Sequence, residues 1–287
     1  SAFLISRGTP TRMGPPYARM VTTGPSDGER MSAIRRGRDM AKSAGKVEQN
    51  RQHRMRRFAD ASLHIVATEG LAALTMARLA EELDTVPSAV YRYFASKGAL
   101  ITAVQCDAIE RLTASYGLIR TLSEDHFVEL GLDEADTVVA RLVLFGRWFC
   151  ATADTHLEEL RLLQMIMSER THDLDPQGGF EVLPIAMVLL GQAAECLDAA
   201  EGIGLATPGE SLERVIVWAA ALGGVLETDS LARYVPELLG DGRLARRTNL
   251  DLLRGWGVPD DRLVAATQVV DDLATRGSLA PAAERAS

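Results

Sequence analysis

From Gln52 onward apolar residues recur at helical spacing almost throughout, and no stretch shows strand-like alternation. Phe58, Ala61, Leu63, Ile65 and Val66 define one amphipathic helix, stopped by Gly70. Thr75 stands at the N-cap of a short helix running through Leu83. A three-residue break, Asp84-Thr85-Val86, leads to a second short helix from Pro87 to Phe94, and Ser96 caps a long helix from Lys97 to about Leu122. Further helices are predicted near 134–153, 155–171, 180–201, 209–228, 242–255 and 260–276. Breaks are predicted at Asp125/Gly131, Pro176-Gly178-Gly179, Gly202-Gly204-Pro208, Pro236-Gly240 and Gly257-Pro259. The fold class is therefore all-α, with no internal repeat.

Residues 1–50 break this pattern. They carry Gly and Pro punctuation without a sustained apolar period, so the sequence predicts a disordered extension. Its basic positions (Arg35-Arg36-Gly37-Arg38, Lys42, Lys46) suit an arm along DNA phosphates or a minor groove. The other reading is an upstream extension without a role, with translation starting at Met31 or Met40. Residues 51–100 form a three-helix unit, 101–278 a helical body, and 279–287 a disordered tail.

Composition sharpens the picture. Of 287 residues, 47% are hydrophobic but only 5% aromatic, which favours helices because unbranched side chains lose little rotamer freedom there. No unbroken apolar run approaches the ~20 residues of a membrane span, and Phe3–Ile5 is too short for a signal-peptide core. A cytoplasmic protein with no membrane partner is predicted. Three widely spaced cysteines, Cys106, Cys150 and Cys196, indicate neither a disulfide framework nor a metal knuckle. The net charge of −8 conceals a division: sixteen basic against nine acidic residues through Leu100, then fifteen against thirty. A polyanionic partner is implied for the first part only.

Leu74–Leu100 has the anatomy of a helix-turn-helix. Ala80 leaves room at the crossing, flanked by Leu79 and Leu83, while Val90 and Phe94 form the inward stripe of the second helix. The opposite face presents Ser88, Ala89 and Arg92, small near the start and basic one turn later, which suits entry into a major groove. The first helix ending in Gly70, Thr75, Leu79-Ala80, Tyr91-x-Tyr93-Phe94, Ser96-Lys97 and Leu100 together resemble the TetR/AcrR family of transcriptional regulators, without gaps. The resemblance covers about 45 residues of the sequence; beyond them only helix order and length are similar. It implies that Tyr91, Tyr93 and Lys97 hold DNA phosphates with help from Thr75 and Thr85. It also implies that Ser88, Ala89 and Arg92 face base edges with Pro87 packed beside them. Two positions depart from the family pattern: Asp84 replaces the usual turn glycine, and Val86 the usual serine. Thr85–Tyr91 is closest to the variant that reads Thr-Gly-Pro-Ala-Ser-Leu-Tyr.

In the body, helix 134–153 is apolar over more than one stripe and must be covered on several sides. In a TetR-like body one side faces a ligand cavity; plain burial in a layered bundle explains the same pattern. The ligand reading selects Phe145, Trp148, Phe149, Met165, Phe180, Met187 and Gln192, for a small hydrophobic effector with few polar anchors. Arg214–Leu226 combines large apolar residues with Ala219-Ala220-Ala221 and Gly223-Gly224, which fits close helix approach. The resemblance implies a homodimer interface there and on helix 242–255, through Val217, Ala220, Ala221, Gly224, Leu250 and Leu253; packing within one subunit is the alternative. The role of helix 260–276 stays open.

Catalytic signatures are missing. His64, His126, His156 and His172 show no metal spacing, and there is no phosphate-cradling glycine loop or nucleophile elbow. No cofactor and no enzymatic activity are predicted. The resemblance implies a dimeric repressor on a near-palindromic double-stranded DNA operator, released by its effector. A helical ligand-binding or interaction module without DNA competence is the second reading, and an enzyme with a helical lid a distant third.

Overall fold

The computed structural model describes residues 49–51, 53–168, 176–228, 234–239 and 242–282, with side chains for all of these but 164–168, 176–179 and 238–239. The chain divides into two units at His53/Arg54. Of the first, only 49–51 and 53 are described, and they are helical. The rest of the extension at 1–48 lies outside the described residues. No strand occurs among the described residues, so the architecture is all-α.

The second unit opens with α1 (54–69), which ends at Gly70 with φ 86°. A 3-10 turn, Leu71–Ala73, leads to α2, Met76–Glu82, and Thr75 caps it by accepting the Arg78 N–H at 3.0 Å. Helix α3 is Pro87–Tyr91, with Pro87 in its first turn, where no N–H partner is needed. Val90 and Phe94 turn inward and Phe94 meets Phe58 edge-on at 5.7 Å. These residues, with Leu63, Ile65, Leu79 and Leu100, build a core belonging to the head.

Helix α4, Lys97–Leu130, is capped by Ser96 and runs 34 residues, about 50 Å, past the predicted end near Leu122. Its inward row continues through Ser123, His126 and Phe127, and exposed Asp125 does not interrupt it. Only Gly131, in the left-handed conformation, stops it. Helix α5, Glu134–Thr155, is buried on several sides as its pattern requires, touching α4, α6, α7, α8, α10 and α11. Helix α6, Leu157–Ser168, follows a one-residue break at His156. Helix α7, Pro176–Gly202, begins earlier than predicted because Pro176 opens a helix rather than ending one.

Helix α8 is Ser211–Thr228, α9 the short Pro236–Leu239, α10 Arg243–Gly255 and α11 Asp260–Arg276. The glycine that permits close approach is Gly146 of α5, where a side chain would overlap the Asn249 amide. Asn249 in turn accepts the Trp218 indole N–H at 2.8 Å, tying α5, α8 and α10 together. Around Gly224 the space is open.

Helix α11 lies along α5 and is held by ion pairs Arg262–Asp136, Arg147–Asp271 and Arg276–Glu129. The predicted tail boundary at 279 is corrected: Leu279 and Ala280 are buried in the body core, and the Thr155 hydroxyl donates to the Ala280 carbonyl at 2.9 Å. Among the described residues one helix has the length and composition that could cross a membrane. Phe180–Gly202 of α7 is long and apolar enough by composition, with mean hydropathy 1.6, although scattered polar residues such as Gln192 and Glu195 keep any apolar run short. This helix packs on α4, α5 and α8.

Candidate nucleic-acid interface

The turn before α3 has a definite hydrogen-bond logic. Asp84 N–H donates to the Glu81 carbonyl at 3.1 Å and Thr85 N–H to the Ala80 carbonyl at 2.8 Å. With Asp84 at φ 49° this is a complete Schellman termination of α2, carried by an aspartate where glycine is the usual choice. It reverses the chain in three residues and sets α3 across α2.

Thr85, Pro87, Ser88, Tyr91 and Arg92 are exposed on the turn and helix, and Ala89 is half-buried. Helical geometry sorts them by flank. Val90 and Phe94 point inward, Ser88 and Arg92 outward, Pro87 and Tyr91 to one side, Ala89 and Tyr93 to the other. Tyr91 is 56% exposed and free to reach outward. Lys97 is exposed at the first position of α4. Tyr93 is more committed than its neighbour: its ring packs 5.0 Å from Phe58 and its hydroxyl accepts from Arg54 at 3.4 Å. Thr75 is exposed but its oxygen is engaged in the α2 cap.

Beside α3 the structure adds residues not selected from the sequence. A groove of about 260 Å³ is lined by Arg54, Arg57, Phe58, Leu83, Asp84, Thr85, Ala89, Arg92 and Tyr93. Arg54 and Arg57 are three apart on α1, a spacing readable beforehand, but on one helix alone it describes an ordinary solvated face.

Several arginines elsewhere are paired. Arg111, Arg141, Arg147, Arg254, Arg262 and Arg276 each lie within 4 Å of a carboxylate. In the head, Arg78 is held by Glu69 and then Glu82, which raises its proton affinity further above the usual arginine value. Arg54, Arg57 and Arg92 have no carboxylate within 4 Å among the described residues. The basic charge implied by the sequence is thus left uncompensated at the groove beside α3.

The residues selected for a ligand pocket are only partly brought together. Phe145, Trp148 and Phe149 are buried among Tyr116 and Trp218, with Tyr116–Trp148 at 4.9 Å and Phe145–Trp218 at 4.8 Å. The Trp148 indole N–H donates to Ser115 at 3.2 Å. Gln192 holds its Oε1 away from solvent without a hydrogen-bond partner. Phe180 is corrected: it is 80% exposed on α7, whose inward row is Leu189, Ala193, Cys196, Leu197 and Ala200. Met187 also lies at the surface, and the Met165 side chain is outside the described residues.

The dimer selection divides the same way. Val217, Ala220 and Gly224 are exposed along one side of α8 with Ile216, and Ala221 is half-buried. Leu250 packs partly against its own subunit's core. Leu253 is corrected: at 0% exposure it belongs wholly to that core, because α10 turns its apolar row toward α5 and α8.

Residues 59–104 match the family described as bacterial regulatory proteins, tetR family. Among solved structures, a protein of unknown function from Rhodococcus sp. RHA1 superposes with TM-score 0.51 at 17% identity, covering 71% of this chain and 95% of that one. The fatty acid degradation regulator FadR from Bacillus halodurans gives TM-score 0.46 at 14% identity, over 69% and 96%. The TetR family transcriptional regulator PfmR from Thermus thermophilus gives 0.43 at 18%, over 69% and 97%. At these identities the likeness concerns fold alone. No curated protein matches the chain.

Proposed function

The chain belongs to the tetR family of bacterial regulatory proteins, and on that premise we propose that it is a ligand-responsive repressor that grips a near-palindromic operator as a dimer. It is a DNA-binding transcriptional regulator and not an enzyme. The observation that carries the reading is the exposed face of α3, polar and basic, next to arginines without a carboxylate partner among the described residues. In this reading Ser88, Ala89 and Arg92 face base edges, with Pro87 beside them, while Tyr91 and Lys97 hold phosphates with Thr75 and Thr85. Tyr93 contributes to phosphate binding while also being packed against Phe58.

A small, mostly apolar effector enters the body among α4, α5 and α7, with Gln192 of α7 as an unpaired acceptor and Phe145, Trp148 and Phe149 of α5 as apolar surface. Its effect needs only different affinities for two arrangements of head and body. Helix α6 supports such coupling: Leu162 packs into the head core and Arg161 donates to the Ala67 carbonyl at 2.8 Å. The proposed site of action is the cytoplasm.

Gel-shift titration against DNA flanking the protein's own gene, at several salt concentrations, tests the reading. Specific, salt-sensitive binding is expected; its absence rejects the repressor in favour of a helical module without DNA competence. Arg92→Ala should relax base preference at one position by about 1–3 kcal/mol, whereas Tyr91→Phe should weaken all sequences alike.

A further inference from the structure

We propose that the head holds the DNA backbone on both sides of α3, with Arg54 and Arg57 of α1 forming a second phosphate grip opposite Tyr91. The inference rests on the head being a DNA binder and adds two residues to its contact surface.

Geometry comes first. The groove lies on the Ala89–Tyr93 flank of α3, and its other wall is the face of α1 carrying Arg54 and Arg57. Pro87 and Tyr91 occupy the opposite flank, with Ser88 and Arg92 between the two. A helix seated in a major groove has one sugar-phosphate strand on either side, about 12 Å apart across the groove. The Tyr91 flank therefore meets one strand and the α1 flank the other.

Electrostatics select the occupant. Three guanidiniums share one concave surface, and among the described residues none has a carboxylate within 4 Å. Their mutual repulsion is relieved by an anion, and the planar fork of arginine matches a phosphate's paired oxygens. Asp84 lines the same groove and offsets one of the three charges, so the groove stays positive overall. Arg54 is braced by its hydrogen bond to Tyr93, whose ring rests on Phe58. That arrangement fixes a fork at the lip of the groove without consuming its charge.

The division of labour is distinct. Arg92 points outward from α3 and reads bases, whereas Arg54 and Arg57 bind backbone and contribute alike to every sequence.

The test uses the full-length protein with two duplexes, one selected by it from a random-sequence pool and one random. Affinity is measured across a salt series for the wild type, Arg54→Ala, Arg57→Ala and Arg54→Lys. Each alanine variant should weaken both duplexes on the order of tenfold and shrink the slope of log affinity against log salt by about one unit per head. Arg54→Lys should keep the slope, since charge alone sets counterion release, and this separates a phosphate contact from a merely structural one. Unchanged melting temperatures confirm that the variants are folded. Loss of affinity with an unchanged slope overturns the inference, as does loss confined to the selected duplex. Inorganic phosphate is the second probe: if it stabilises the wild type but not Arg54→Ala, while the DNA slope is unaltered, the groove is a small-anion site and the grip is rejected. If the wild type binds neither duplex, the DNA-binding reading falls together with this one. If Tyr91→Phe weakens binding while both alanine variants behave as wild type, only this inference falls.

Discussion

Asp84 has φ 49°, and among the described residues it is the only non-glycine with positive φ. The left-handed region strains any Cβ, less so for aspartate than for alanine because its short polar side chain can bond locally. Denaturant midpoints should therefore order Gly at 84 equal to or above the wild type, with Asp84→Ala lower by about 1 kcal/mol. An alanine variant as stable as the wild type would remove the argument. Asp84→Asn keeps the geometry but deletes the one negative charge lining the arginine groove, so it should tighten binding to all duplexes. At this scale the sequence was informative wherever a constraint is local. Gly70 as a stop, Thr75 and Ser96 as caps and Val90/Phe94 as the inward pair depend only on neighbours in the chain, and each stands where its pattern placed it. Arg54 and Arg57 escaped because their meaning comes from a second wall, α3, which the sequence of α1 does not contain.

At the scale of elements, α6 joins α4 in connecting head and body, and its start is fastened by the chain's last described segment. His156 lies between Glu159, 3.9 Å away, and the Pro281 carbonyl, 3.4 Å from its Nε2. Glu159 in turn faces Arg111 at 3.7 Å, and Arg111 reaches Asp60 of α1 at 2.5 Å. The Glu159 carboxylate raises the proton affinity of His156 above the ordinary value of 6.5, against burial and the Arg111 charge. Burial pushes Glu159 upward, yet the His156 partner and Arg111 outweigh it and leave Glu159 below its ordinary 4.5. The signs fix a window. The histidine's share of stability is complete below 6.5 and fades as pH rises through its raised value; the glutamate's is complete above 4.5 and fades as pH falls through its lowered value. Wild type should exceed His156→Gln in melting temperature most between those two values, and a difference that grows above neutral pH would contradict the pairing. Deleting 279–287 removes the burial of Leu279, worth roughly 2 kcal/mol, and should lower the melting temperature by several degrees. The helix pattern announced these elements but not this fastening. The burial of Leu279 and Ala280 comes from docking against α5, and nothing in Ser278-Leu279-Ala280-Pro281 itself signals it. Phe180 departs from its pattern for the same reason: an aromatic on an apolar helix reads as inward until its neighbours show which row faces the core.

At the scale of the whole molecule, a regulator with two recognition helices needs an interface that α8 alone cannot supply. Its 18 residues are roughly 27 Å long and ~10 Å across, far short of the ~800 Å² per partner in a standard stable interface. A second element must join it. Helix α10, the expected choice, buries Leu253 in its own core and exposes Arg246, Arg247 and Arg254 instead. Helix α7 also packs beside α8 and exposes Phe180, Leu183 and Val188, an apolar surface that water does not favour. The expected dimer face is therefore α8 with α7. In sedimentation, Val217→Glu and Leu183→Glu should each shift the protein toward monomer without lowering the stability of the isolated chain, because both positions are exposed in it. Both should also lose operator affinity by far more than any single phosphate contact, since a monomer reaches one half-site only. Leu253→Ala should act differently, destabilising the chain by about 2–5 kcal/mol as a core truncation. If Leu183→Glu remains dimeric while Val217→Glu does not, the second element is α10 after all, and its arginines meet the acidic body of the partner. If neither variant dissociates, the dimer is built elsewhere and α8 serves its own subunit alone.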